Sequence, residues 1–347
     1  MSARTRIARA AARTTSRLPK RALRRMAGEP VMIDGNELDL QMQVFAGAAM
    51  KQLADAGPPS PESMRDGFAD MVEITQHDPV ESVSTHDRTI PGPAGDLAVR
   101  IYHPTVTEGD VPAIVWFHQG GYVIGDLDTD HALCTTLAER CGAVVISVDY
   151  RLAPEHPFPA FVDDGIAAHE WVVDNAEGLG VDAARVAVAG TSAGGMLSAV
   201  VCQQARVRGS RQPAAQILLY PGIDHTFEGG SRDSCADTFP LTGDALAFFA
   251  HHALPDPSAA TDVRASPGLA TELWGLAPAV VVTAGFDPIR DEGDAYADAL
   301  AAAGVPVTHR CETALTHSFT VFGGISKEAR RAVDRVADDV AAVLGVG

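Results

Sequence analysis

From residue 113 onward, short unbroken apolar runs alternate with longer segments of helical periodicity. The runs at 113–118, 143–149, 185–189, 215–220, 279–284 and 305–310 are rich in Val, Ile and Ala and do not alternate with polar residues. Runs of this kind read as strands of a parallel sheet covered on both faces, where neither side meets water. Helical stretches fall between them, around 130–141, 160–175, 195–208 and 289–303. A last segment, 325–344, is amphipathic through Ala329, Val333, Val336, Val340 and Val343. Strand and helix in alternation predict a doubly wound α/β architecture, a mostly parallel sheet with helices on both faces. Ahead of it, alternating runs at 83–90 and 97–102 flank Pro91-Gly92-Pro93-Ala94-Gly95-Asp96, which predicts a hairpin.

Two regions break the rhythm. Residues 35–78 read as helices interrupted at Gly57-Pro58-Pro59-Ser60-Pro61, with apolar positions Leu38, Leu40, Met42, Phe45 and Met50. Between Tyr220 and Ala279 there is no core-type strand, only a helix-like segment at 242–252 with Leu246, Phe248 and Phe249 on its apolar face. Together the two regions are expected to cap the carboxyl edge of the sheet. The expected organisation is a basic arm (1–28), an N-terminal part of the cap (29–80), a first part of the α/β core (81–220), a cap insertion (221–275) and a second part of the core (276–347).

Composition narrows the function classes. Of the 347 residues, 46% are hydrophobic, ample for a packed core, yet no stretch of 18 residues is uninterruptedly apolar. The net charge of −18 is unevenly placed. Nine Lys or Arg and no acid fall in the first 28 residues, leaving 18 basic against 45 acidic residues and −27 on everything after. So acidic a body repels phosphate backbones, and no nucleic-acid partner is expected. The basic arm lacks the apolar stretch of a secretory signal. It reads either as a membrane-surface helix with a weak grip, because its apolar face is mostly alanine, or as a solvated arm resting on the acidic body. The five cysteines (Cys134, Cys141, Cys202, Cys235, Cys311) have neither disulfide-framework nor metal-site spacing. They read as reduced, mostly buried thiols of a cytoplasmic protein, leaving peripheral membrane contact open.

The chemistry is concentrated at strand ends, where an open α/β sheet gathers its reactive groups. Gly190-Thr191-Ser192-Ala193-Gly194 follows the run 185–189 and precedes a helical stretch. A serine flanked by glycines between strand and helix is how a nucleophile is lifted clear of a sheet, since the turn admits only small neighbours. His118-Gln119-Gly120-Gly121-Tyr122 ends another strand. The amides of Gly120 and Gly121, with that of Ala193, are candidate oxyanion donors. Asp287 in Gly285-Phe286-Asp287-Pro288 stands where a carboxylate can orient an imidazole, and His317 follows the last strand in a loop. The competing acids Asp291, Glu292 and Asp294 lie on the next helix and are expected to face solvent. The competing His309 lies inside a strand and is expected to be structural. The order Ser, Asp, His, each at a different strand end, is the α/β-hydrolase order. A further segment, Asp149 to Ala160, carries prolines that stiffen the crossover, and its Arg151 and Glu155 are spaced to pair with one another or with nearby loops.

With these residues in view, the chain resembles the hormone-sensitive-lipase branch of the α/β-hydrolases, bacterial esterases that include a subgroup with a Gly-Thr-Ser-Ala-Gly elbow. The match spans about residues 80–347 through His118–Tyr122, 149–160, 190–195, and 287–293 followed by His317. The resemblance implies Ser192, Asp287 and His317 as a triad, Gly120, Gly121 and Ala193 as oxyanion hole, and a helical cap shaping an acyl pocket. Two positions depart from the family pattern: Gln119 replaces the first glycine of His-Gly-Gly-Gly, and Ser318 replaces the glycine of His-Gly-Phe.

The expected activity is hydrolysis of short- to medium-chain carboxylic esters through an acyl-enzyme on Ser192, with no metal and no cofactor. Two other readings stay open. One is a non-catalytic small-molecule receptor on the same fold, like the plant gibberellin receptors, which have lost the histidine. The other is an amidase or acyltransferase using the same triad. The expected partner is a small-molecule ester, with a homodimer left open.

Overall fold

The apolar runs become strands of one eight-stranded sheet, preceded by a helical segment. A computed structural model describes residues 2–54, 57–105 and 109–346. Residues 1, 55, 56, 106–108 and 347, which fall within the expected segments, lie outside it. The chain begins with α1 (Ala3–Ser16) and α2 (Lys20–Ala27), then a short hairpin of β1 (Met32–Ile33) and β2 (Asn36–Glu37), then α3 (Leu40–Ala54) and α4 (Pro61–Thr75). The periodicity at 35–78 predicts helices interrupted only at 57–61, and β2 departs from it. Asp34 and Gly35, at φ 51° and 80°, make a two-residue turn that the Asp-Gly pair favours.

The sheet contains β3 (Ser84–Gly92), β4 (Gly95–His103), β5 (Val111–Phe117), β6 (Val144–Val148), β7 (Val181–Thr191), β8 (Gln216–Leu219), β9 (Ala279–Phe286) and β10 (Val307–Thr316). Their order is β10-β9-β8-β7-β5-β6-β4-β3. The β3–β4 hairpin joins β6 antiparallel, and all remaining pairs are parallel. The helices α5 (His131–Cys141), α6 (Ala160–Asp174), α7 (Ala176–Leu179), α8 (Ala193–Arg208), α9 (Ser231–Ser234), α10 (Gly243–Ala253), α11 (Arg290–Ala302) and α12 (Lys327–Val343) follow in chain order. Successive residues of a strand point to opposite faces, so one sheet builds two cores. Val115, Phe117, Val188, Leu218 and Val281 pack with Phe161 of α6, Leu197 of α8 and Leu300 of α11. Ile114, Trp116, Ile217, Val280 and Val282 pack with Leu137 of α5 and with Val333, Val336 and Val340 of α12.

The last strand is longer than its apolar run. The run at 305–310 predicts its end near Arg310, yet β10 continues to Thr316. Val305 and Pro306 lie outside it, and the added length mixes polar and apolar residues because β10 is an edge strand. There Glu312 bonds Arg335, and Arg310 bonds Asp339, both on α12. The extension ends directly before His317.

The basic arm lies against α4. Arg9 donates to Asp78 at 2.8 Å and to the Glu73 carbonyl, Arg13 to Asp78 and the Gln76 carbonyl, and Thr5 to Asp70. Each exposed pair contributes little, about 0–1 kcal/mol.

Directly after β6, burial pushes the Asp149 carboxyl up from 3.8 to about 6, helped by Asp126 and Asp128 and opposed by Arg100. The folded chain therefore holds this proton to a higher pH than the unfolded chain does. Stability falls as pH rises from about 4 to about 6. Asp149→Asn should remove this contribution. Thermal unfolding across that window should show the wild type losing stability relative to the variant, on the order of 1–3 kcal/mol.

Candidate active site

The turn between β7 and α8 is sterically fixed. A Cβ on Gly194 would stand 1.9 Å from the Phe117 carbonyl oxygen, so α8 can begin this close to the end of β5 only with glycine there. Ser192 takes φ 53°, ψ −116°, a conformation L residues rarely adopt. Its N–H donates to the Leu219 carbonyl at 2.8 Å, and its own carbonyl accepts from Met196. Ser192 thereby stands at the mouth of α8, where Ala193, as first residue, has an amide with no partner inside the helix. The positive end of the helix faces the same point.

The three residues picked from strand ends meet there. The Ser192 Oγ lies 2.9 Å from His317 Nε2, and His317 Nδ1 lies 2.7 Å from Asp287 Oδ2. All three are buried, Asp287 completely. A carboxylate only accepts, so Nδ1 must carry the imidazole proton and donate it to Asp287. That leaves the Nε2 lone pair to accept from the serine hydroxyl. The other carboxylate oxygen, Oδ1, accepts the Ile289 N–H at 3.0 Å, which fixes the Asp287 rotamer. The Tyr220 ring meets the imidazole edge-on at 4.9 Å. Ser318, at φ 60°, holds the left-handed conformation that glycine adopts without strain. The histidine loop thus keeps the backbone shape that the usual glycine serves.

Gly120 and Gly121 line the same cavity as Ser192, Ala193 and His317. At Gly120, φ is 133° and a Cβ would fall 1.9 Å from the Ile124 carbonyl oxygen, so a side chain is excluded. Gln119, beside them in the cavity wall, is held from behind: its Nε2 donates to Asp130 at 3.1 Å. Asp130 also accepts from Trp116 Nε1 at 3.1 Å and Thr191 Oγ1 at 2.7 Å. One buried carboxylate therefore ties the loop after β5 to the residue before Ser192. Burial pushes its pKa up, against the pull of these three donors. Asp130 stands at the N-terminus of α5, where no motif singles it out, and its side chain makes no cap hydrogen bond.

The proline-rich crossover braces this region through partners outside the segment. Arg151 bonds Asp164 rather than Glu155, and Glu155 bonds Arg65 of α4. Arg65 also donates to the Val123 and Ala153 carbonyls. Tyr150 stacks on His118 at 4.3 Å and donates to its carbonyl.

The expectation that Asp291, Glu292 and Asp294 face solvent needs correction. Glu292 is 2% exposed. It accepts from the Ile223 and Asp224 amides and from Arg232 Nε at 3.1 Å. Burial pushes it up to about 7 against the pull of Arg232. Asp291 accepts the Ser231 N–H, and Asp294 binds Thr283 and His309. Asp291 and Glu292 hold the segment after β8 to α11, and Asp294 ties α11 to β9 and β10, long-range roles that local spacing cannot reveal. His309 is tied to Asp294, away from Ser192.

The cavity that opens on Ser192 measures about 1,940 Å³. Phe45 of α3, Met64 and Phe68 of α4, and Phe239, Phe248 and Phe249 near and on α10 give it an apolar lining.

Comparisons with known proteins agree with this geometry. A family model described as an α/β hydrolase fold matches residues 114–321. The chain is 43% identical over 301 residues to the carboxylic ester hydrolase LipN of Mycobacterium tuberculosis, covering 84% of this chain and 80% of that protein. It is 38% identical over 236 residues to an ethyl acetate hydrolase of Pseudomonas putida, covering 67% and 74%. Among solved structures, the ester-hydrolase EH1AB1 from the Lake Arreo metagenome, in complex with a bipyridine phosphonate derivative, superposes with a TM-score of 0.86. It is 38% identical and covers 89% of this chain and 100% of that one.

Asp130→Ala should strand three buried donors. Denaturant unfolding should show a loss of about 3–5 kcal/mol, whereas Asp130→Asn, which keeps one acceptor oxygen, should lose less.

Proposed function

The chain belongs to the α/β-hydrolase family, in the branch of bacterial esterases related to hormone-sensitive lipase, and from that premise we propose that it is a serine carboxylesterase acting through Ser192, His317 and Asp287. The observation that carries the reading is the unbroken hydrogen-bonded chain from Ser192 Oγ through both imidazole nitrogens to a buried carboxylate. Ser192 Oγ attacks the ester carbonyl as His317 Nε2 takes its proton. The oxyanion collects the amides of Gly120, Gly121 and Ala193, groups already fixed by backbone and needing no reorganisation. His317, now charged and stabilised by Asp287, returns the proton to the departing alkoxide. Water then enters, gives a proton to the same nitrogen, and cleaves the acyl-enzyme to acid and free serine.

The apolar cavity supports uncharged acyl groups, and similar chains are named as ester hydrolases. We assign short- to medium-chain esters as substrates, with Phe239, Phe248 and Phe249 shaping the acyl side. No metal or cofactor enters the scheme.

Rates on p-nitrophenyl esters from acetyl to palmitoyl test the reading. Ser192→Ala should lower kcat by about 10⁶, and Asp287→Asn by about 10⁴ with KM little changed. A variant lacking Ser192 that keeps most of the activity would overturn the scheme. Binding of esters without turnover would mark a receptor instead.

A further inference from the structure

The N-terminal segment concentrates two kinds of exposed side chain, large apolar groups and cations. Eight large apolar side chains stand exposed among the described residues, and five belong to it: Ile7, Leu18, Met26, Val31 and Met32. Ile7 is 72% exposed and Met26 56%. Between them stand cations without partners. Arg6, Arg17, Lys20, Arg21, Arg24 and Arg25 are exposed and enter no ion pair or side-chain hydrogen bond among the described residues. Arg9 and Arg13 pair instead with Asp78, and Arg4 borders the cavity that contains Ser192. Asp34, in the hairpin that follows α2, is held by Arg290 and Ser234. The inner side of the same helices is different. Ala8, Ala11 and Ala12 of α1 and Leu23 of α2 line the cavity that contains Ser192 and His317, and Met26, though exposed, borders it too.

Each candidate occupant meets these facts differently. A nucleic acid would match the cations but leave Ile7 and Met26 in water. A second copy would cover the apolar groups but oppose nine cations to nine more. An anionic bilayer answers both, since apolar side chains enter the acyl boundary while arginines stay at the phosphates. The −27 of the body does not cancel this attraction, because salt confines each charge to about 8 Å. The acidic body instead orients the molecule, arm toward the lipid.

We propose that α1 and α2 dock the protein on an anionic lipid bilayer and, on the reading that it is an ester hydrolase, bring the Ser192 cavity to esters dissolved there. The outer face supplies the docking groups and the inner face a cavity wall, so attachment and substrate entry share one pair of helices.

Cosedimentation of the full chain with vesicles tests the docking without any chemistry. Vesicles of mixed phosphatidylglycerol and phosphatidylcholine should retain at least roughly tenfold more protein than phosphatidylcholine alone, and high salt should release it. The combined variant Arg17→Ser, Arg21→Ser, Arg24→Ser, Arg25→Ser should lose roughly tenfold in binding while hydrolysing soluble p-nitrophenyl acetate at the wild-type rate. Ile7→Ser, a single change on an exposed helix face, should also weaken binding should the combined variant fold poorly. Equal retention on both vesicle types would overturn the proposal. So would unchanged binding in both variants, or a dimer in equilibrium sedimentation that Ile7→Ser dissociates. Vesicle binding without ester turnover in the wild type would instead count against the hydrolase reading alone and leave the docking standing.

Discussion

A helix that starts where a strand ends, with no room for a side chain between them, is the constraint on which the rest of the structure depends. Gly194 meets the Phe117 carbonyl so closely that any Cβ would collide with it. The chain can make this approach only by forcing Ser192 into a strained conformation, which costs about 1–3 kcal/mol. The strain is offset by the sheet. Leu219 accepts the Ser192 amide, and the apolar side chains of β5, β7, β8 and β9 fix the strand ends from which the turn springs. In return the hydroxyl projects into the cavity with an unpartnered amide beside it.

Two buried carboxylates divide the remaining work. Asp287 receives an imidazole N–H and one backbone amide, so its charge is directed along the imidazole toward the serine. Asp130 receives an indole, an amide and a hydroxyl, and its effect is mechanical: it ties the loop carrying Gly120 to the strand carrying Thr191. Gln119 belongs to this second set. The residue that departs from the family's glycine lines the cavity while its amide is tied to Asp130. The placement of the Gly120 loop beside Ser192 thus rests on one buried carboxylate and its three donors.

What the sequence reveals follows the range of the interaction. Strands buried on both faces announce themselves as apolar runs, and Gly-x-Ser-x-Gly is legible because a tight turn demands it. Ser192, Asp287 and His317 could be named because each follows a recognisable strand, and the structure brings all three together. The end of β10 was hidden because an edge strand has polar residues on its open side. Glu292 and Asp130 were hidden for another reason. Their partners lie on elements distant in sequence, so each looks like a surface acid until the fold closes around it. Ser318 lies between these cases: its departure from glycine is visible, but its left-handed backbone is not.

The central claim, that Ser192 is a nucleophile activated by this arrangement, is tested most directly by covalent trapping. An aryl phosphonate ester places a tetrahedral phosphorus where the reacting carbonyl carbon would be, and it labels a serine only if that serine is activated. Intact-mass measurement followed by peptide mapping should find one adduct per chain on Ser192, and none after His317→Ala. A chain that stays unlabelled, or one labelled elsewhere with equal ease, would contradict the account.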